Sequence, residues 1–412
     1  MILAADIMRP RSDEGTLPFR SETKNAMLNP PVPDWNPRSE QVQRDQRAAC
    51  DAMRESLPVA YSELLQWSVF RHQDVVEILL DHETYSNATS RYLSVPHGMD
   101  PPEHTLFRAV VEQFFAPRRM GTFEPTCRTL AARLVDGVLR NSEAEVMGSL
   151  ALPYAAEAQC SFLGWPATLA EPLISWTHRN SSATLQLDRA ALSQLASEFG
   201  LLVDEQLEAR RARRGDLDIT AELMDQSVAG RPLSRTEISS ILRNWTAGEI
   251  GSMSAAVGVL VHYLAEHRDL QDELRKEPSR LPEAIDEILR LNAPLVANRR
   301  LVTKEAVIQG RTIPAGSHIS LMWISANRDG RVFDDPEEFR FGRDPGKNLL
   351  YGAGIHVCPG APLARLELRL VIEELLTRTA EIRLLAGRSP VNATYPSSGY
   401  AEAFVCWRKR AG

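Results

Sequence analysis

The residue with the clearest capacity for chemistry is Cys358, within the segment YGAGIHVCPGAPLAR at positions 351–365. Glycines before it permit positive φ and a close approach of the backbone, and an amphipathic helix follows it. The free N–H groups and positive dipole end of a helix N-terminus favour a thiolate. Pro359 cannot donate, so we expect backbone hydrogen bonds to the sulfur only from Gly360 onward. Such a thiolate could be a nucleophile, a redox sensor or a metal ligand.

A long helix must lie near the middle of the chain. Ser234 and Glu237 have the spacing of a capping box, and the apolar pattern then continues to about His267. At ~1.5 Å per residue this helix would be nearly ~50 Å long. Gly248 and Gly251 in its middle indicate a local distortion or a flat object packed against the helix. Close packing of another helix is the alternative interpretation.

Composition excludes several classes of protein. The 412 residues carry 47 Lys and Arg against 54 Asp and Glu, and this net charge of −7 argues against a nucleic-acid partner. The five cysteines are scattered without C-x-x-C pairs, so we expect neither a disulfide framework nor structural zinc. Asp6 and Arg9 interrupt any signal peptide, and no apolar run is long enough to span a membrane. We therefore expect a cytoplasmic protein.

The coarse periodicity predicts a mainly α fold with minor β structure, of the α+β class. Residues 1–36 are rich in proline and are expected to form an extended arm. Helical periodicity dominates from 73 to 265. Because strands do not alternate regularly with helices, a doubly wound parallel sheet is disfavoured. The other predicted elements are a helix over 39–56, two strands over 59–71, strands over 299–319, a helix over 362–378, and strands near 381–385 and 403–407.

The cysteine segment resembles the haem-binding loop of the cytochrome P450 family, whose pattern is Phe-Gly-x-Gly-x-His/Arg-x-Cys-x-Gly. Tyr351 stands where phenylalanine is usual and adds a hydroxyl near the ligand. Three further motifs resemble the family's in the same order: DPPEHTLFR at 100–108, Glu287-x-x-Arg290 and the segment at 335–340. The resemblance implies one haem domain over 1–412, a triangular, helix-rich fold with small antiparallel sheets.

The resemblance also implies a cofactor, haem b (iron protoporphyrin IX), with the Cys358 sulfur as the iron ligand. Glu287 and Arg290 would form a structural ion pair beneath the haem. Arg299 would point to the other face of the strand that carries the propionate partner Arg300. The remaining haem contacts implied by resemblance are His104, Arg108, His356, Tyr351 and Gly360.

The family's central helix carries Ala/Gly-Gly-x-Asp/Glu-Thr, and this chain departs from that motif. An ungapped count from the Glu-x-x-Arg pair places Ser252 on the threonine and Gly251 on the acid. A slip of one residue would instead place Gly251 on the threonine. We expect Ser252 and Glu249 to be the catalytic pair that delivers protons. Alternatively, Ser252 bonds back to the helix backbone and Glu249 is the partner of a distant arginine.

The resemblance indicates the substrate-contacting residues only by segment of the chain. Loop 88–98 should cover the pocket, whose mostly apolar walls favour a small hydrophobic organic substrate. The implied function is a monooxygenase that inserts one oxygen atom of O₂. Because no flavin or iron–sulfur segment is recognisable, electrons are expected from a separate ferredoxin and ferredoxin reductase, docked on Arg118, Arg119, Arg365 and Arg369. The predicted substrate contacts are Asn244, Trp245, Gly248, Leu295, Val296 and Ser398.

Two alternatives remain open at this stage. A peroxide-driven or non-oxygenating haem-thiolate enzyme would also tolerate the altered acid–alcohol motif. A haem-based sensor or binding protein without turnover would do so as well.

Overall fold

The computed structural model describes residues 31–90, 93–186, 188–212 and 218–410. Helices dominate these ranges, as the periodicity predicted. The α-helices are α1 (Glu40–Arg44), α2 (Gln46–Ser56), α3 (His72–Leu80), α4 (Glu103–Glu112), α5 (Pro117–Val138), α6 (Leu152–Leu163), α7 (Ala170–Gln186), α8 (Arg189–Ala212), α9 (Ile219–Met224), α10 (Arg235–Gly248), α11 (Ser254–Glu266), α12 (Arg268–Lys276), α13 (Leu281–Asn292), α14 (Trp323–Ala326) and α15 (Ala361–Arg378).

The strands of the described ranges form small sheets. The largest has the order β1-β2-β10-β7-β3, and all of its pairs are antiparallel except β2 with β10. A three-stranded sheet has the order β11-β14-β4. The strands are β1 (Val59–Ser62), β2 (Gln66–Val69), β3 (Tyr85–Ser86), β4 (Glu143–Glu145), β5 (Ser227–Val228), β6 (Arg231–Pro232), β7 (Ala297–Val302), β8 (Ala306–Ile308), β9 (Arg311–Ile313), β10 (His318–Met322), β11 (Thr379–Leu384), β12 (Val391–Asn392), β13 (Tyr400–Glu402) and β14 (Phe404–Lys409).

Two predictions near the N-terminus need comment. Residues 1–30 of the predicted arm lie outside the described residues, and 31–36 form neither helix nor strand. The prediction of a single helix over 39–56 is wrong, because the segment forms two helices, α1 and α2, which are separated at Asp45. The Asp45 side chain accepts a hydrogen bond from the N–H of Ala48 at 3.0 Å and so starts a new helix.

The long central helix is continuous from Arg235 to Glu266, in agreement with the sequence. Its capping box is formed: Ser234 Oγ accepts from the N–H of Glu237, whose carboxylate accepts from the N–H of Ser234 at 2.7 Å. Between α10 and α11, residues Glu249–Met253 form a π-helical segment. The distortion expected from the central glycines therefore lies in this segment, which includes Gly251.

The main hydrophobic core surrounds this long helix. Most of α11 is buried, and α5, α6, α13 and α15 contribute to the same cluster of buried side chains. A second cluster covers the five-stranded sheet. No helix in the described ranges has both the length and the apolar character needed to cross a membrane. The architecture is helix-rich α+β, and both α15 and the long helix contribute residues to the wall of one large cavity.

Candidate active site

The loop before α15 holds Cys358 by its backbone. The N–H of Cys358 donates to the carbonyl of Tyr351 at 2.8 Å, which closes the loop. Gly354 has φ +68°, and a Cβ on it would lie 2.6 Å from the carbonyl oxygen of Leu79. Gly352 also has positive φ, but open space surrounds its Cβ position. Only glycine fits at Gly354, where a backbone atom blocks a Cβ, whereas at Gly352 the positive φ alone favours glycine.

Cys358 is half-buried where the loop meets the helix. Gly360 is the N-cap of α15, and a Cβ on Gly360 would lie 3.9 Å from Cys358 Sγ. Burial raises the pKa of the Cys358 thiol, while the N–H of Gly360 and the charge of Arg108 act in the opposite direction. A cation bound to the sulfur would tip this balance to the thiolate.

Cys358 lines a cavity that contains about 1440 Å³ of space free of protein atoms. The cysteine loop and the start of α15 form one side of it. Trp245, Gly248, Glu249 and Ser252 of the long helix also line it. The cavity is therefore bounded both by the predicted sulfur ligand and by the long helix.

Cationic and imidazole groups gather at one end of this cavity. The rings of His104 and His356 have centroids 4.2 Å apart, and the Nε2 atoms of both are buried without a hydrogen-bond partner among the described residues. Arg108 and Arg300 line the same end. Burial, followed by repulsion from His104, Arg300 and other cationic groups, lowers the pKa of His356 far below its usual range. A bound anion would satisfy these groups.

The alternation of β7 selects Arg300, as predicted. Arg300 is 4 % exposed and lies in the cavity wall, whereas Arg299 donates to the carbonyl of Leu64 at 3.0 Å on the other face. Burial lowers the pKa of Arg300 to about 10. Arg108 donates to the carbonyl of Val357 at 2.6 Å, and so connects α4 to the cysteine loop.

These residues fit a haem. The cavity offers one sulfur ligand, and the unpartnered imidazole atoms and arginines are the groups that two propionates require. Tyr351, His356 and Gly360 lie in the wall beside Cys358, where they would contact the macrocycle. The side chains and backbone groups of the wall are thus of the types that a haem requires, and each of these predicted haem contacts lines the cavity.

Glu287 and Arg290 form a two-point ion pair within the core. Arg290 Nε and Nη2 donate to the two carboxylate oxygens of Glu287 at 2.7 and 2.9 Å. Arg290 also donates to the carbonyls of Asn327 and Pro336, and Arg343 adds a 2.8 Å contact to Glu287. The network ties α13 to the segment that precedes the cysteine loop.

The residues predicted for proton delivery both line the cavity. Ser252 Oγ donates to the carbonyl of Gly248 at 2.7 Å, which is the bond to the helix backbone considered as its alternative role. Glu249 makes no ion pair with an arginine among the described residues; its carboxyl contacts that of Glu367 instead. The hydroxyl of Ser252 therefore has its acceptor lone pairs, and not its hydrogen, available to the cavity.

The predicted substrate contacts divide into two groups. Trp245, Gly248 and Leu295 line the cavity. Asn244, Val296 and Ser398 are not part of its wall, so contact of these three residues with a substrate stays a prediction. Asn244 donates to the carbonyl of Val95 at 3.0 Å, Val296 is packed in a separate apolar cluster, and Ser398 lines a second, smaller cavity.

Two further residues at the site had no role in the sequence analysis. His97 lines the cavity beside His104, its Nδ1 is buried without a partner, and burial lowers its pKa to about 4. Glu367 is fully buried on α15. The sequence indicated a place for His97 near the site, because it lies in the loop 88–98 that was expected to cover the pocket. Helical periodicity offered a signal for Glu367, because it is a charged residue on an otherwise apolar face.

Comparisons with known proteins agree with this geometry. The family model described as "Cytochrome P450" matches residues 161–380. The chain is 30% identical over 350 residues to cyclomarin C epoxidase CymV of Salinispora arenicola, which covers 81% of this chain and 88% of that protein. It is 32% identical over 343 residues to erythromycin C-12 hydroxylase of Saccharopolyspora erythraea, which covers 79% and 85%.

Solved structures give the same result for the fold. A mutant of P450 EryK in complex with erythromycin B superposes with a TM-score of 0.81 at 28% identity, over 89% of this chain and 97% of that one. CYP109Q5 from Chondromyces apiculatus has the same TM-score at 25% identity, over 91% and 98%. The loop, the ion pair and the cavity thus occur in a fold shared with these proteins. The chain belongs to the cytochrome P450 family and is an oxidoreductase of its monooxygenase class.

Proposed function

We propose that this protein inserts one oxygen atom of O₂ into a small hydrophobic organic substrate, using haem b bound within a single domain. The observation that carries the proposal is that Cys358 lines the same cavity as the long helix, with unpartnered imidazole atoms of His104 and His356 in its wall. A haem ligated by the Cys358 thiolate would supply oxygen activation, because such a ligand favours cleavage of the O–O bond.

The residues of the chain divide the remaining tasks. Cys358 Sγ ligates the metal, and the N–H of Gly360 holds negative charge on the sulfur. The two histidines and two arginines at the cationic end bind the propionates and fix the orientation of the macrocycle. Glu249 and Ser252 are polar groups of the long helix that line the cavity, and they act on protons there.

The composition of the cavity supports an apolar substrate. Trp245, Leu295 and Met253 present apolar surface, and the histidines and arginines of the wall gather at the cationic end. Some relatives are named erythromycin C-12 hydroxylase, linalool 8-monooxygenase and cyclomarin C epoxidase, and these names refer to organic molecules. The apolar walls would hold such a molecule by burial of its surface.

We propose a separate ferredoxin and its reductase as the source of electrons. Of the four candidate docking arginines, Arg119 pairs with Glu222 and Arg369 with Glu124. Arg365 pairs with Asp286 yet keeps about half of its side chain exposed, and Arg118 is exposed at the start of α5. Arg118 and Arg365 are therefore the two that an acidic partner would meet.

The decisive experiment is the spectrum of the purified, haem-loaded protein after reduction and exposure to carbon monoxide. A thiolate ligand gives a red-shifted Soret band, and Cys358→His should abolish that shift even where haem stays bound. A protein that takes up no haem, or a variant that keeps the shifted band, would refute the proposal.

The reaction is tested separately. NADH consumption with ferredoxin and reductase, stimulated by a compound that shifts the Soret band, should yield a product that contains one atom from ¹⁸O₂. Product formed only with peroxide would instead favour the peroxide-driven alternative.

A further inference from the structure

Two carboxyl groups meet inside the protein between the long helix and α15. Glu249, at the start of the π-helical segment, and Glu367 are within hydrogen-bonding reach of each other. Oε1 of Glu249 and both carboxylate oxygens of Glu367 are buried and receive no N–H or O–H bond from other groups in the described ranges. Two carboxylates in contact, with no other donor, can form a hydrogen bond only if they hold a proton.

The surroundings of the pair are apolar or neutral. Within residues 31–90, 93–186, 188–212 and 218–410, no lysine or arginine forms an ion pair with either carboxyl. The titratable groups that face the pair are Cys127 of α5, Tyr154 of α6, and Tyr351 and Cys358 of the cysteine loop. None of them is a cation.

Electrostatics then decides the protonation state. Ionising both carboxyls would place two like charges in contact at a site of low polarity, which is strongly unfavourable. Burial raises the pKa of Glu367 well above its ordinary value, and the charge of Glu249 raises it further. Burial also raises the pKa of Glu249.

The two members differ in their access to the cavity. Glu249 lies in the cavity wall, one helical turn before Ser252 and Met253. Glu367 does not line the cavity and is fully buried behind it. Tyr154 donates to the backbone carbonyl of Glu367 at 2.8 Å, which holds this turn of α15 in place. Glu249 is therefore the member of the pair that faces the cavity, and Glu367 is the member that contacts Glu249 from behind it.

We propose that Glu249 and Glu367 share one proton at neutral pH, so that a protonated carboxyl faces the cavity that Cys358 lines. Glu249 can turn this proton towards a polar group that binds in the cavity, and Glu367 is a positioning residue that keeps the proton on the pair. The shared proton is independent of the proposed function, whereas the use of Glu249 as a donor during turnover rests on it.

Infrared spectroscopy tests the shared proton directly. The holoenzyme at pH 7 should show the C=O stretch of a protonated carboxyl, and this band should disappear in the double variant E249Q/E367Q. The control Glu305→Gln, at an exposed position, should leave the band unchanged. A band that persists in the double variant, or that is absent from the wild type, would overturn the proposal.

The pH dependence of unfolding is the second test, and its sign follows from linkage. The folded pair keeps a proton that the unfolded chain releases above its ordinary pKa, so rising pH destabilises the wild type. From about pH 5 to 8, the ratio of the wild-type unfolding constant to that of E249Q/E367Q should rise about tenfold per pH unit. Parallel pH profiles would refute the shared proton.

The single variants keep the test usable if the double variant does not fold. In E249Q or E367Q an amide N–H can donate to the remaining carboxylate, so each profile should be shallower than that of the wild type.

Measurements of turnover test only whether Glu249 acts as a donor during the reaction. Glu367→Gln should lower the fraction of NADH electrons that reach product more at pH 8 than at pH 6, because Glu249 then ionises at lower pH. An unchanged fraction at both values, with the infrared band confirmed, would reject the donor role and leave the shared proton intact.

Discussion

The imidazole rings of His104 and His356 face each other across the junction of α4 and the cysteine loop, with their centroids 4.2 Å apart. Each has a buried Nε2 atom without a partner among the described residues. Buried polar atoms without a partner are costly, so we expect these two nitrogens to pair with the propionates of a haem.

Replacing His104 by alanine should therefore weaken haem binding. A hydrogen bond to a charged group contributes about 1.5–3 kcal/mol. Its loss should therefore raise the dissociation constant of haem roughly tenfold to more than a hundredfold. The measurement is the transfer of haem from the protein to an excess of a haem-scavenging protein. His178→Ala, at an exposed position, is the control and should match the wild type. Equal haem loss from both variants would contradict the assignment.

The two glycines of the cysteine loop provide a matched pair of variants. Both have positive φ, but only at Gly354 would a Cβ collide with a backbone atom, the carbonyl oxygen of Leu79. Gly352→Ala should cost only the strain of the left-handed conformation, about 1–2 kcal/mol. Gly354→Ala should cost more and should broaden or shift the Soret band, because Cys358 moves with the loop. Identical thermal midpoints and spectra for the two variants would exclude this explanation.

Removing Arg290 should severely destabilise the fold. Arg290→Leu leaves the carboxylate of Glu287 buried without its two-point partner, and loss of one member of a buried pair costs about 3–5 kcal/mol. Arg343→Leu is the comparison, because it removes a single contact to the same carboxylate and should cost less. Urea unfolding gives both values. A larger loss for Arg343→Leu would show that the pair is not the main support of this region.

His318 on β10 predicts a loss of stability in acid. Burial, assisted by the charge of Arg299, lowers its pKa to about 4 in the folded protein, against an ordinary value of 6.5. The unfolded chain binds the proton first as pH falls, so stability is full above pH 6.5 and declines towards pH 4. At pH 5 the loss due to this residue is roughly 2 kcal/mol. His318→Gln should remove that part of the decline.

Chemical unfolding at pH 5 and pH 7.5 measures the effect. His178→Gln serves as the control and should decline as the wild type does. If His318→Gln declines equally, another group is responsible for acid sensitivity.

Local signals were sufficient for much of the fold and site. The cysteine segment, the Glu-x-x-Arg pair and the alternation at Arg300 are short-range patterns, and the structure places these residues as their spacing predicts. The long helix and its capping box were also predictable, because both depend on neighbours within a few residues.

Long-range contacts were not predictable from the same sequence. Nothing local indicates that Glu249 meets Glu367, because the contact depends on how α15 crosses the long helix. Asn244 shows the same limit: its amide is taken up by the carbonyl of Val95, which lies 149 residues away in the chain. The sequence can predict which segment of a helix lies beside a cavity. Which side chains of that segment face the cavity depends on the hydrogen-bond partners that the rest of the fold provides.

The π-helical segment Glu249–Met253 affects how related sequences should be aligned. A π turn accommodates one residue more than an α-helix of the same length, so the two halves of the long helix follow different phases. Positions before Glu249 and after Met253 cannot both be matched without a gap to a relative that lacks the extra residue. The two alignments of the Ser252 region differ by one residue, which is the shift in phase that such a turn introduces.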